Sequence, residues 1–423
     1  MFPDWRRRGQ PEAAHDRVRS PGPHRRCGPS AAVAASAAPR CLPRSLILRR
    51  FAFGRGGDVS IDLAWPDTRA LELFGIALPI LQAPMAGAGG VALAAAVAEG
   101  GGLGAIPCAA LARDEAEAEV AAFRARTRAP LNLNFFCHAP PAIDPQRWQA
   151  WLARLAPYYA EQHVAAPQAL PVATRQPFDA AACAFVEAVR PQVVSFHFGL
   201  PPADLLARVR ATGAIVIGSA TTVREARWLA AHGVDAVIAQ GAEAGGHRGM
   251  FLTDDVATQV GLFALLPQVV DAVEVPVIAA GGIADGRGIA AAFALGASAV
   301  QIGTAYLFCP EATVPAAHRT ALRGGGDADT ALTNLFSGRP ARGIVNRLMR
   351  EQGPVDPGAP PFPLAGAALA PLRPQDASGD FGSLWSGQAR ALAVELPAAA
   401  LTRRLAEQAA AWLARPVGPP RRA

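Results

Sequence analysis

The sequence predicts an α/β fold, a (β/α)8 TIM barrel with a smaller C-terminal cap region. Three observations lead to it: short apolar runs alternate with amphipathic ones from Leu78 onward, eight such pairs fill about 225 residues, and glycines gather where the apolar runs end. The candidate strands cover residues 78–84, 103–107, 131–136, 193–198, 214–219, 236–240, 277–280 and 299–303, each rich in small and β-branched apolar residues. Between them, residues 91–99, 114–126, 180–189, 203–212, 223–232, 262–273 and 287–295 repeat apolar side chains every three or four positions, as a helix packed on a sheet requires. An open doubly wound sheet is the alternative. It would favour a GxGxxG turn after the first strand, and Gln82-Ala83-Pro84-Met85-Ala86-Gly87 does not supply one.

Two segments break the rhythm. Residues 137–177 are too long for a plain connection and hold Pro140, Pro141, Trp148, Trp151, Tyr158 and Tyr159, which reads as an arm whose aromatics pack onto the barrel rim. Past the eighth strand come a glycine run at 323–327, the stretch SGRPARG at 337–343 and a Pro-rich stretch at 353–374, which together suggest a cap over the barrel mouth. A last helix, predicted over 398–414 and entered through Pro397, returns to the barrel. The expected organisation is therefore a disordered basic extension over 1–70, a barrel over 71–309, a cap on the substrate side over 310–388 and a C-terminal helical segment over 389–423.

Composition narrows the class. Of 423 residues, 51% are hydrophobic and 17% charged, and no apolar run approaches the roughly 20 residues of a membrane span. Every basic residue is arginine. Residues 1–57 carry 12 of them against Asp4, Glu12 and Asp16, a net of +9, so the +6 of the whole chain leaves the remainder at −3. The basicity belongs to the tail, which reads as a targeting segment or as an upstream extension of the start, and the globular part lacks the basic, aromatic-interleaved surface of a nucleic-acid binder. Six scattered cysteines with no CxxC spacing point to reduced thiols in a cytoplasmic setting, and no His, Cys or carboxylate spacing suggests a metal.

The chemistry is expected at the C-terminal ends of the strands. Residues 236–251, AVIAQGAEAGGHRGMF, pass from a buried strand into a loop with Gly241, Gly245, Gly246 and Gly249, an acid, a histidine and an arginine. The seventh strand ends in Gly281 and Gly282, and the eighth in Gln301-Ile302-Gly303-Thr304. Three consecutive loops of this kind, with the positive end of the helix starting near Gly286, form a candidate phosphate cradle. His197 closes the fourth strand in VSFHFGLP and is the candidate base, since a neutral imidazole there can take a proton. His247 ranks behind it as a binding or orienting residue. His138, His163, His232 and His318 are read as structural.

These stretches resemble a known family. LPILQAPMAGAGG at 78–90, LNLNFFCH at 131–138, VSFHFGLP at 194–201, GSATTVREA at 218–226, IAQGAEAGGHRG at 238–249, PVIAAGGIADGRG at 276–288, VQIGTAYL at 300–307, SGRPARGIVN at 337–346 and LWSGQ at 384–388 occur in the order seen in FMN-dependent class I nitronate monooxygenases, formerly 2-nitropropane dioxygenases. The resemblance implies FMN, with Ala83, Pro84 and Met85 along the flavin, Asn134 and Gln240 at its ring system, and Gly245, Gly246, Gly281, Gly282, Gln301, Ile302, Gly303 and Thr304 around the ribityl phosphate. It implies His197 as base, with Met85 and Phe198 keeping the pocket apolar. The implied reaction uses O₂ to turn an alkyl nitronate into a carbonyl compound and nitrite, a neutral nitroalkane entering when His197 removes its α-proton. An NAD(P)H-dependent quinone or enoyl-thioester reductase on the same barrel is the alternative. The family pattern has no counterpart for the N-terminal extension, and the cap departs from it in being Pro-rich and free of tyrosine.

Overall fold

The computed structural model describes residues 65–173, 175–324 and 329–415. Most of the predicted basic extension, Cys27, Cys41 and part of the glycine run at 323–327 lie outside the described residues. The chain is already packed at Trp65, whose ring centroid lies 5.1 Å from that of Phe293, so ordered structure begins ahead of residue 71. Asp67 then accepts hydrogen bonds from the Arg69 amide and the Ser298 hydroxyl, which anchors helix α1 (Arg69–Phe74).

Eight parallel strands form the barrel: β1 (Ile80–Gln82), β2 (Gly104–Pro107), β3 (Leu131–Phe136), β4 (Val193–His197), β5 (Ile215–Ala220), β6 (Ala236–Gln240), β8 (Val277–Ala280) and β9 (Ala299–Ile302), in the order β1-β9-β8-β6-β5-β4-β3-β2. The skipped strand, β7 (Gly246–His247), belongs to a second sheet. Alternation decides which side chains face inward. In β6, Ala236 and Ile238 join Leu81, Leu103, Ile217 and Ile278 in the barrel interior, while Val237 and Ala239 face the helices. Ala70, Phe74 and Ile76 of the α1 region seal that interior.

The two ends of the sheet meet through one parallel bridge, Leu81 to Leu103. Beyond it the Gln82 side chain continues the ladder, donating from Nε2 to the Ala105 carbonyl at 3.2 Å and accepting from the Ala105 amide at 3.1 Å. The sheet is thereby closed, which excludes the open doubly wound alternative.

The predicted helices form with small shifts at their ends: α2 (Val91–Glu99), α3 (Arg113–Arg126), α5 (Ala180–Val189), α6 (Ala203–Ala211), α7 (Val223–Ala231), α8 (Leu262–Val270) and α9 (Gly286–Ala294). Helix α13 (Ala398–Leu413) lies against α2 and α9 so closely that a β-carbon on Gly286 would stand 2.3 Å from Gln408 Cβ. Among the described residues, no helix is long and apolar enough to cross a membrane.

The arm over 137–177 differs from expectation. It contains helix α4 (Pro145–Glu161), started by Asp144, whose carboxylate accepts from the Gln146 and Arg147 amides, with Pro145 in the first turn. Trp148, Trp151, Leu152, Leu155, Tyr158 and Tyr159 recur at helical spacing and bury one face. That face meets Leu335, Phe336, Leu348, Met349 and Phe381 of the cap, not the barrel rim. The cap thus has a hydrophobic core of its own, framed by β10 (Thr330–Thr333), β11 (Ala341–Ile344) and the helices α11 (Arg347–Gln352) and α12 (Ala365–Leu369), whereas α10 (Ala316–Arg323) packs Leu322 into the barrel core. β11 pairs with β10 on one side and with β7 on the other, Ala341 opposite His247, so a barrel loop completes the cap sheet.

Candidate active site

A cavity of about 490 Å³ opens at the C-terminal ends of the barrel strands. It is walled by the loops that leave them and, opposite, by His318, Leu384, Trp385 and Gly387 of the cap. Its size suits a cofactor-sized ligand. Ala83, Pro84, Met85, Asn134, Gln240, Gly245, Gly246, Gly281, Gly282, Gln301, Gly303 and Thr304 all line it, together with His197. Ile302 does not. In β9 its neighbour Gln301 faces the mouth, so Ile302 points into the shell between sheet and helices, fully buried, and its carbonyl accepts from the Ala83 amide at 2.8 Å.

Glycine is required where two loops interlock. A β-carbon on Gly245 would lie 2.5 Å from the Gly387 nitrogen, and one on Gly387 would lie 2.8 Å from the Glu243 carbonyl, so the loop after β6 and the LWSGQ stretch touch backbone to backbone. Gly246, at φ +73°, would meet nothing within 4 Å and leaves the cavity open there.

The charged groups of the β6 loop serve the loop itself. Glu243 accepts from the Leu262 amide at the start of α8 at 2.9 Å. Arg248 is fully buried and donates to the Gln240 carbonyl, the Gly241 carbonyl and Gln259 Oε1 at 2.8, 2.8 and 2.7 Å. Glu225, equally buried, accepts from the Thr221 amide and hydroxyl and from the Phe251 and Leu252 amides. Each buried charge therefore has several partners, as burial demands.

His197 sits where β4 ends, and Phe198 after it takes φ +69°, followed by Gly199 at +92°. This left-handed turn is costly for a phenylalanine. Its ring is pinned by the Arg339 guanidinium, 4.2 Å above the centroid. Phe198 is buried against Phe136 and Phe362 and does not wall the cavity, in contrast to the role expected for it. His197 donates from Nε2 to the His247 carbonyl at 3.2 Å. Burial, with the positive charges of Arg339 and Arg248, pushes its pKa down to about 4, so the ring is neutral at pH 7. His247, bonded to the Ser337 hydroxyl at 2.9 Å, is held well below its ordinary value by burial and by its neighbour His197.

Two expectations need correction. The N-terminus of α9 is not free for a phosphate, because Asp285 accepts from the Arg287 and Gly288 amides and Gln408 from that of Gly286. The loop backbones, not the helix end, face the cavity. His318, set aside as structural, lines the cavity and donates to the Trp385 carbonyl at 3.0 Å. His138 packs beside the site, 4.8 Å from the Phe362 ring, and burial takes its pKa to about 4. Arg175, Ser195, Ser219 and Phe136 also line the cavity and were not singled out. Ser195 and Ser219 sit on strands whose ends were already placed at the mouth, and that position is the signal that could have found them. His232 stacks on Trp228 away from the site.

The residues present fit a flavin. Gln301 Oε1 is buried in the cavity wall without a partner among the described residues, an acceptor suited to a ligand N–H. Glycine backbones of three strand ends surround the space, and Met85, Ala83 and Pro84 give it an apolar side.

Comparison with known proteins accounts for this arrangement. The nitronate monooxygenase family profile matches residues 67–408. A nitronate monooxygenase of Pseudomonas aeruginosa is 45% identical over 352 residues, 80% of this chain and 98% of that protein. A probable nitronate monooxygenase of Bacillus subtilis is 37% identical over 347 residues, with 80% and 98% covered. Among solved structures, a nitroalkane oxidase from Streptomyces ansochromogenes superposes with a TM-score of 0.73 at 39% identity over 81% of this chain and 98% of its own. FabK from Thermotoga maritima gives 0.60 at 28% identity, covering 82% and 97%. Since the profile runs through barrel and cap alike and the identity extends across both, the chain belongs to the nitronate monooxygenase family and is an oxidoreductase of that flavin-dependent group.

Proposed function

We propose that the protein binds FMN in this cavity and uses O₂ to oxidise alkyl nitronates to a carbonyl compound and nitrite, with His197 as the base that admits neutral nitroalkanes. The observation that carries the reading is a neutral His197 in the wall of the same cavity as the unpartnered Gln301 acceptor. The backbones at Gly245, Gly281, Gly282, Gly303 and Thr304 would hold the phosphate, with Asn134 and Gln240 at the ring; Gln301, expected beside the phosphate, would instead offer its unpartnered Oε1 to a ring N–H. FMN, when bound, supplies the electron transfer between the nitronate and O₂. The chain's own part is to hold a lone pair at His197 for the α-proton, to keep its carbonyl and amide dipoles fixed around the developing anion, and to exclude water with the cap. Barrel and cap are joined in one wall at β7 and β11, which supports the cap as the substrate-side cover.

The test is anaerobic mixing of the yellow holoenzyme with a preformed alkyl nitronate and, separately, with NADH. Loss of oxidised-flavin absorbance with the nitronate alone is expected. Rapid bleaching by NADH alone would move the activity to the reductases.

A further inference from the structure

We infer that Gln240 is a positioning residue that holds the His197 proton on Nε2, leaving Nδ1 as the atom that receives the substrate's α-proton. This rests on the proposed base role of His197 and assigns the atom within it. The His247 carbonyl receives two hydrogen bonds, from His197 Nε2 at 3.2 Å and from Gln240 Nε2 at 3.0 Å. A carbonyl oxygen only accepts, so the neutral imidazole must present N–H there, and its lone pair lies on Nδ1.

The orientation of Gln240 follows from the same reasoning. The Gly249 amide can only donate, and it does so to Gln240 Oε1 at 2.8 Å, which turns Nε2 toward the His247 carbonyl. The glutamine is itself fixed, since Arg248 donates to its backbone carbonyl at 2.8 Å. The accepting carbonyl is fixed from the other side, because His247 pairs with Ala341 of β11. The Nδ1 edge of the ring lies against Gly249, where a β-carbon would stand 3.3 Å from Nδ1 and 2.9 Å from Cε1, so a side chain at 249 would crowd the lone pair. When the α-proton of a nitroalkane moves to Nδ1, the C–H electron pair stays on the substrate as the nitronate and the ring becomes an imidazolium with both N–H groups. The Nε2–H bond to the carbonyl strengthens as that charge appears.

The experiment is a long-range ¹H–¹⁵N correlation spectrum of ¹⁵N-histidine-labelled holoenzyme at pH 7, with His197→Asn to assign the signals. A protonated Nε2 and a lone-pair Nδ1 are expected. A proton on Nδ1 in the wild type overturns the inference whatever the kinetics show, and this arm needs no variant at position 240. Gln240→Leu, with spectra and rates normalised to bound flavin, is expected to give His197 signals averaged between the two tautomers. In it kcat/KM for a neutral nitroalkane falls about 10- to 100-fold, a larger loss than for the preformed nitronate. Unchanged His197 signals in that variant overturn the role of Gln240. If the wild type shows Nε2–H but His197→Asn slows both substrate forms equally, the atom assignment stands and the base role fails.

Discussion

The cavity has two walls built on different principles. The barrel wall is a set of directed hydrogen bonds: Gln240, Glu225 and Arg248 are buried and each ties backbone groups of the 240–252 loop to the strand ends. The cap wall is held mainly by packing, with Trp148, Trp151, Tyr158 and Tyr159 of α4 clamped on Phe336, Leu348 and Phe381. On the proposed function, directed bonds fix atoms where a proton would move, while packed surfaces tolerate repacking and suit a side that would meet substrates of different shape. On that reading, chemistry and substrate choice rest on separate materials in one pocket.

That division can be broken in four places. The largest effect is expected on the barrel side: His197→Asn keeps flavin bound yet lowers kcat/KM for neutral nitroalkanes by about 10²- to 10⁴-fold, with a smaller loss on preformed nitronates. Steady-state rates with both substrate forms check this, and equal losses would assign His197 to binding. On the cap side, Trp151→Ala removes a fully buried ring and is expected to cost about 3–5 kcal/mol. Thermal melting and proteolysis within α4, with the flavin spectrum retained, would show that the cap loosens while the barrel wall stands.

Glu225→Gln tests the hydrogen-bonded wall without changing its shape. An amide NH₂ would face one of the N–H donors of Thr221, Phe251 or Leu252, at a cost of about 1–3 kcal/mol read from the melting temperature. The smallest effect is a pH slope. His197 and His138 are both lowered from 6.5 to about 4, so between those values the unfolded chain binds protons that the folded one does not, and stability rises with pH across the window. Melting temperatures from pH 4 to 7 should climb, and His138→Phe should flatten the slope.

The barrel was legible because its strands are buried on both sides and read as runs of Val, Ile and Ala ending in glycine. The cavity residues followed, since strand ends are where loops converge. What the residues of the β6 loop do was not legible: the sequence shows an acid and an arginine among glycines, and only the fold shows that Glu243 serves the α8 amide and Arg248 the loop carbonyls. Helix α4 carries its start signal in Asp144-Pro145 and its stripe of aromatics, but Pro140, Pro141 and the length of the segment read as a connection. The two-residue strand β7 has no local signature, because its partner lies far along the chain at Ala341 and Arg342. Arg175 and His318 sit in none of the family stretches, and their place in the cavity comes from tertiary packing alone.

The closure of the sheet has a consequence for how the molecule opens. Seven neighbours in the ring are joined by strand ladders, whereas β1 and β2 meet through one bridge and the amide of Gln82. A hoop parts at its weld, and this weld is two backbone hydrogen bonds, from the Leu103 amide to the Ile80 carbonyl and from the Gln82 amide to the Leu103 carbonyl, extended by one side chain. Native-state hydrogen exchange would then find its earliest sub-global opening at the Leu103 and Ala105 amides. Because Ala83, Pro84 and Met85 follow Gln82 directly, that seam runs under the floor of the cavity, and a ligand resting there would slow its exchange from above.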